Sequence, residues 1–169
     1  MRGAEAVTGA EAAFLARLVR EAGSGGPIVE IGTLFGDSTA VLLTNRAAGQ
    51  PVLSVDSYSW SPLELPHALH REVTAARFAD LVRSGELRLL AQDKDRFYET
   101  YSGPAPALVF FDAVHTYDAT MRDIAWARRA GARIICGHDY SAGAHDGVRR
   151  AVDECGGVAE LVGTLWRLR

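Results

Sequence analysis

Residues Ala107-Leu108-Val109-Phe110-Phe111 are apolar without interruption, and Asp112 follows at once. A strand with no polar side chain on either face has to be covered on both. Shorter runs repeat the pattern. Pro27-Ile28-Val29-Glu30-Ile31-Gly32 reads as a buried first strand, Val52 to Asp56 as a second, Leu87 to Ala91 as a third and Arg133 to Cys136 as a fifth. Stretches of helical spacing separate them: Ala10 to Ala22, Thr39 to Ala48, Ala68 to Val82, Arg96 to Tyr101, Ala119 to Ala130 and Asp146 to Cys155. Gly23-Ser24-Gly25-Gly26, Gly131 and Gly156-Gly157 stop three of these helices, and Asp37-Ser38 offers a cap before Thr39. Ser57 to Pro66, with Tyr58, Trp60 and Pro62, has no period and reads as a loop. The tail, Val158 to Arg169, reads as one or two last strands. The alternation predicts an α/β, doubly wound domain. Its seven-stranded sheet is mostly parallel, with helices on both faces and right-handed crossovers.

A chain of 169 residues suits a single domain over 1–169, with an N-terminal helix in 1–26 and the core in 27–169. The net charge of -3 gives no electrostatic argument for a nucleic-acid partner. Arg128-Arg129 and Arg149-Arg150 read as solvated helix faces. Two cysteines cannot build a disulfide scaffold, and Cys136, in the run Ile134-Ile135-Cys136, reads as a buried small hydrophobe. Met1 to Gly9 lacks the apolar core of a signal peptide, and no run is long enough to span a bilayer. The expected location is the cytoplasm, with no membrane contact.

In parallel sheets ligands bind beyond the carboxyl ends of the strands. The informative residues are therefore Gly32 to Ser38, Asp56-Ser57, Gln92-Asp93, Asp112 to His115 and His138-Asp139. The first turn, Gly32-Thr33-Leu34-Phe35-Gly36-Asp37-Ser38, spaces its glycines four apart and lacks the G-x-G-x-x-G that seats a pyrophosphate. With Glu30 inside the strand, it suits a ligand that carries an amino acid and no phosphate. Asp56 closes the second strand 24 residues after Gly32, where a carboxylate can accept both hydroxyls of a ribose. Gln92 and Asp93 offer acceptors to an adenine amino group, and a turn-forming Asp93 is an equal alternative. Asp112 and the His138-Asp139 pair end adjacent strands and can converge. Two carboxylates and waters would suit Mg²⁺. His115 has an imidazole suited to proton removal at neutral pH. Tyr117 and Tyr140 are candidates for an acceptor pocket or for packing, whereas His145 and Asp146 read as loop and cap residues.

Glu30-x-Gly32-x-x-x-Gly36-x-Ser38 and Asp56 resemble the first motif and the ribose-binding acid of class I S-adenosylmethionine-dependent methyltransferases. Phe111-Asp112-Ala113-Val114-His115-Thr116-Tyr117, Gly137-His138-Asp139-Tyr140, Gly147-Val148 and Ala151-Val152-Asp153 resemble the subfamily of macrolide-sugar O-methyltransferases and cephalosporin-hydroxylase-like proteins. The resemblance covers residues 27 to 155. It implies a Rossmann-like methyltransferase fold and methyl transfer to a hydroxyl of a small molecule, with Mg²⁺ assistance. It also implies S-adenosylmethionine contacts from Glu30, Gly32, Thr33, Gly36, Ser38, Asp56, Ser57, Gln92, Asp93 and Asp112. Asp112 and Asp139 carry over as metal ligands and His115 as general base. His138 stands where metal-dependent relatives have Asp or Glu. The short N-terminal segment leaves the acceptor pocket open or completed by a second subunit, as in a homodimer. A bacterial source and natural-product biosynthesis fit the composition and the subfamily. Three other functions stay open: another S-adenosylmethionine reaction such as a cyclase or lyase step, an NAD(P)-dependent oxidoreductase, and a non-catalytic nucleoside-binding domain.

Overall fold

The computed structural model describes residues 7–143 and 145–169. The part of the leader reading that concerns residues 1–6 lies outside the described residues. The elements follow in the order α1 (Gly9–Ala22), β1 (Ile28–Ile31), α2 (Asp37–Asn45), β2 (Val52–Asp56), α3 (His67–Arg77), α4 (Ala79–Ser84), β3 (Leu87–Ala91), α5 (Lys94–Thr100), β4 (Leu108–Phe111), α6 (Tyr117–Arg129), β5 (Ile134–Gly137), α7 (Asp146–Glu154), β6 (Val158–Val162) and β7 (Leu165–Leu168). They form one seven-stranded sheet in the order β3-β2-β1-β4-β5-β7-β6. The pairs β3–β2, β2–β1, β1–β4 and β4–β5 are parallel, whereas β7 runs antiparallel to β5 and β6.

Side chains alternate across a strand, and β4 shows why it needs two covers. Leu108 and Phe110 pack with Phe14, Leu15, Leu18 and Leu42 of α1 and α2. Val109 and Phe111 pack with Ile124, Trp126, Val148 and Val152 of α6 and α7. The last hairpin contributes Trp166, buried to 1% on the second side, whose indole N–H donates to the His138 carbonyl at 3.0 Å.

Two local expectations change. The helix foreseen over Ala68 to Val82 is two helices, broken at Phe78, whose backbone leaves the helical region. Its ring fills the space beside Gly36, where a Cβ would lie 2.4 Å from it. The buried face of α3 is also polar: His70 and Thr74 point inward, while Leu69 and Val73 are exposed. The cap of α2 is Gly36, in the left-handed region, rather than Asp37 or Ser38. Asp37 starts the helix and pairs with Arg77 at 2.6 Å, and the Ser38 hydroxyl turns inward to Glu30.

Gly32 sets how closely the β1 and β4 ends approach. Its φ is +97°, and a Cβ there would lie 2.0 Å from the Asp112 carbonyl oxygen. That oxygen is backbone and cannot step aside. Gly32→Ala is expected to destabilise the fold by about 3 kcal/mol or more, adding a strained φ to the clash. Urea unfolding followed by circular dichroism measures it, and a midpoint within error of the parent would refute the packing account.

Candidate active site

The carboxyl ends of β2, β1, β4 and β5 lie side by side, and the residues singled out from the sequence gather there. Asp56 organises the first half. Its Oδ2 accepts the N–H groups of Thr33 at 2.8 Å and Leu34 at 2.9 Å, and its Oδ1 accepts the N–H of Tyr58 at 2.7 Å. One carboxylate thus fixes the turns after β1 and β2. Both turns carry a non-glycine residue in the left-handed region, Leu34 at φ +47° and Tyr58 at φ +54°. From outside, Thr74 Oγ1 donates to the Leu34 carbonyl at 2.8 Å, and His70 Nε2 lies 3.0 Å from the same oxygen. Arg77 donates to the Phe35 carbonyl at 2.8 Å. Tyr58 is buried edge-on against His70, so it plugs the loop, whereas Trp60 stays exposed.

Glu30 is fully buried, and its oxygens accept hydrogen bonds from Ser38 at 2.6 Å, Thr39 at 2.6 Å and Ser54 at 2.5 Å. Burial pushes its carboxyl up to about 7 against the pull of those three hydroxyls. Ser54 is its register partner on β2, so the cluster ties β1, β2 and α2 together beneath the glycine turn. Glu30 and Ser38 therefore face one another. Ser57 turns to Ser59, at 2.7 Å between hydroxyls. Gln92 donates its backbone N–H to the Asp56 carbonyl at 3.1 Å, and the residue lines a groove with Leu53, Leu90 and Phe97. Asp93 caps α5 by accepting the N–H groups of Asp95 and Arg96, the turn role considered for it.

The second half gathers beyond β4 and β5. His115 Nε2 lies 3.4 Å from Asp112 Oδ1 and 3.1 Å from Asp139 Oδ2. It meets neither in a hydrogen-bonding direction, and the atom is buried without a partner. Asp139 is held at φ +63°, a conformation that costs a non-glycine residue about 1–3 kcal/mol. Burial alone would lower the His115 imidazole, but Asp112 and Asp139 outweigh it and raise its pKa. Burial works against the charge of Asp139 too, yet His138, His115 and His145 hold its carboxyl below the usual range.

His138 is bracketed by protein. Its Nε2 lies 3.0 Å from Thr164 Oγ1 and 3.2 Å from Glu11 Oε1, and its Nδ1 lies 3.6 Å from Asp139 Oδ2. Burial disfavours its charge, but Asp139, Asp112 and Glu11 raise the imidazole to about 9. Tyr117 and Tyr140 donate their hydroxyls to Glu154 and Asp153 of α7 at 2.5 and 2.8 Å.

Glu11 is the residue the sequence did not bring to this site. It closes a capping box with Thr8 at the start of α1. Its Oε1 also accepts the Thr164 N–H at 2.8 Å. Burial opposes its charge, and the amides of Thr164 and Thr8, the Thr8 hydroxyl and His138 together hold its carboxyl at about 2. Thr8-x-x-Glu11 is legible as a box, but nothing local says that the same carboxylate reaches β5. His145 also joins the cluster, 3.7 Å from Asp139 Oδ1 and edge-on to His115.

No family model matches this chain, and no curated protein matches it. Solved structures do. A putative O-methyltransferase from Klebsiella pneumoniae is 24% identical, with a TM-score of 0.70 over 98% of this chain and 83% of that one. An O-methyltransferase from Bacillus cereus in complex with SAH is 19% identical, with a TM-score of 0.71 over 98% and 84%. CalS11, a TDP-rhamnose 3′-O-methyltransferase of calicheamicin biosynthesis, is 19% identical, with a TM-score of 0.65 over 94% and 76%. At these identities the likeness is one of fold. The chain has the Rossmann-like fold of these methyltransferases.

The buried Glu30 gives a stability test. Its pKa is higher folded than the ordinary 4.5, so its contribution is full below about 4.5 and is lost as pH rises through about 7. Relative to Glu30→Gln, the parent is expected to lose about 3 kcal/mol between about pH 4.5 and pH 8. Urea unfolding at both values measures it; a difference that does not change with pH would show that Glu30 does not titrate in this range.

Proposed function

We propose that this chain is an S-adenosylmethionine-dependent methyltransferase that alkylates a hydroxyl oxygen of a small molecule. The observation that carries the reading is the placement of Asp56, bonded to the turn after β1, two strands from the Asp112–His115–Asp139 group on one sheet edge. A nucleoside end and a proton-accepting end then share one cleft.

The residues present fit such a cofactor. Asp56 is partly exposed, and its Oδ1 accepts a single amide, which leaves lone pairs for ribose hydroxyls. The Glu30 oxygens are taken by three hydroxyls, so this carboxyl supports the glycine turn from beneath. Asp112, beside Gly32, is the open carboxylate next to that turn. A bound S-adenosylmethionine supplies a methyl group already activated on a sulfonium.

The chain's remaining tasks are to hold the acceptor in line and to remove its proton. A cofactor held at Asp56 and the turn after β1 would supply the methyl group and keep the electron pair of its carbon–sulfur bond, and the proton of the acceptor hydroxyl would pass to the His115 imidazole. Asp112 and Asp139 stabilise the imidazolium that results, as the raised pKa of His115 reflects. Exposed Val114 beside His115 offers the acceptor an apolar contact. A small acceptor suits a chain of net charge -3 better than a nucleic acid does. Mg²⁺ suits the site poorly. It wants oxygen ligands, and here three imidazoles crowd two carboxylates.

Calorimetric titration with S-adenosylmethionine tests the nucleoside half. Binding is expected, and Asp56→Ala is expected to weaken it about 100-fold through the loss of charge-assisted hydrogen bonds to ribose. NAD(P)H binding in place of S-adenosylmethionine would overturn the reading. Product screening with small hydroxyl compounds tests the second half. His115→Ala is expected to lower kcat about 100-fold or more at unchanged S-adenosylmethionine affinity, and an undiminished kcat would remove His115 as the base.

A further inference from the structure

Helices α5 and α6 share a buried ion pair that the site described above does not use. Lys94 opens α5 directly after Gln92 and Asp93, and it is 8% exposed. Its ammonium donates to Asp123 Oδ1 at 2.6 Å and to Asp95 Oδ1 at 3.0 Å. Asp123, in the second turn of α6, is 3% exposed. Its Oδ1 also accepts the Tyr98 hydroxyl at 2.9 Å. The ammonium lies 5.2 Å from the centre of the Tyr98 ring, and that ring stacks on Trp126 with centroids 4.4 Å apart.

Such a pair is a poor way to gain stability. Desolvating two charges offsets much of their attraction, and apolar side chains of similar size often serve as well or better. Burial pushes the Asp123 carboxyl up, against the pull of Lys94 and of the Tyr98 hydroxyl. What the pair adds is register. Apolar surfaces can slide over one another, whereas an ammonium and a carboxylate fix one alignment of the elements that carry them.

The alignment concerns the cleft. Lys94 continues the turn after β3, where the Gln92 amide donates to the Asp56 carbonyl. Helix α6 starts just beyond the turn that carries Asp112 and His115, with Thr116 as its cap. In the sheet, β2 and β1 separate β3 from β4, which sets these strand ends about 14 Å apart. Sheet pairing alone does not join their turns. The Lys94–Asp123 pair does, from the helical side.

We propose that Lys94 and Asp123 are positioning residues that set the separation of the turns after β3 and β4, and with it the slot for the planar base of a nucleoside ligand. The inference rests on the methyltransferase reading for the identity of that ligand, and on the structure alone for the coupling of the two turns. Each side chain acts through the turn that its helix holds.

Two variants test the pair. Asp123→Asn retains an acceptor for Tyr98 and leaves Lys94 with Asp95. Lys94→Met combined with Asp123→Asn removes both charges together. A purely structural pair would lower the urea midpoint and leave the affinity of the folded chain unmoved. A positioning pair is expected to do the reverse. Calorimetry is expected to show S-adenosylmethionine binding both variants about tenfold more weakly, with the midpoint of the double variant close to the parent's. Hydrogen exchange on the ligand-free full chain reads the turns themselves. The amides of Gln92, Phe97 and Thr120, which bond to Asp56, Asp93 and Thr116, are expected to exchange about tenfold faster in both variants. Unchanged affinity would overturn the proposal, as would exchange at the parent rate or loss of the fold in both variants. A parent that binds no S-adenosylmethionine would remove the cofactor reading alone. The exchange rates would then still decide whether the pair couples the two turns.

Discussion

The pairing of β1 with β4 is the constraint on which the rest depends. No side chain fits at Gly32, because the Asp112 carbonyl already occupies the place of its Cβ. Two parallel strands therefore end at the same level, and their turns leave the sheet together. The turn that Asp56 holds leaves β1, and the turn that carries Asp112 and His115 leaves β4. Asp56 and Glu30 then lock the first turn from opposite sides, one through backbone amides and one through hydroxyls.

Charge is arranged with equal economy. Glu11, Asp112 and Asp139 would repel one another in a buried cleft. His138 and His115 stand between them, and each histidine is raised by the carboxylates it faces. Carboxylates and imidazoles thus alternate across the site. Its outer member, Glu11, is 3% exposed and comes from α1, whose buried apolar residues pack on the sheet and on α2.

The sheet, its helices and the strand ends were legible because strands buried on both faces are uninterrupted apolar runs that stand out from the helical period between them. Asp112, His115 and Asp139 were legible because strand ends are where chemistry collects, and the structure brings all three together. The α3 region was misread for a physical reason. Its inward face binds carbonyl oxygens through His70 and Thr74, so apolar periodicity pointed outward. The break at Phe78 was hidden because it answers to Gly36, 42 residues earlier in the chain. Glu11 and His145 were missed because both have a sufficient local role, a capping box and a turn before α7. Only the tertiary fold gives them a second one.

The bond from Glu11 to the Thr164 amide joins residues 153 apart in sequence. Contacts of such separation form late, after local helices and neighbouring strands have closed shorter loops. During synthesis the glycine turn and Asp56 meet early, when barely a third of the chain has emerged. The surroundings of His138 wait for the final hairpin. The molecule therefore acquires the Asp56 contacts to the glycine turn well before it acquires the surroundings of His138, and a chain interrupted before β7 would lack the second.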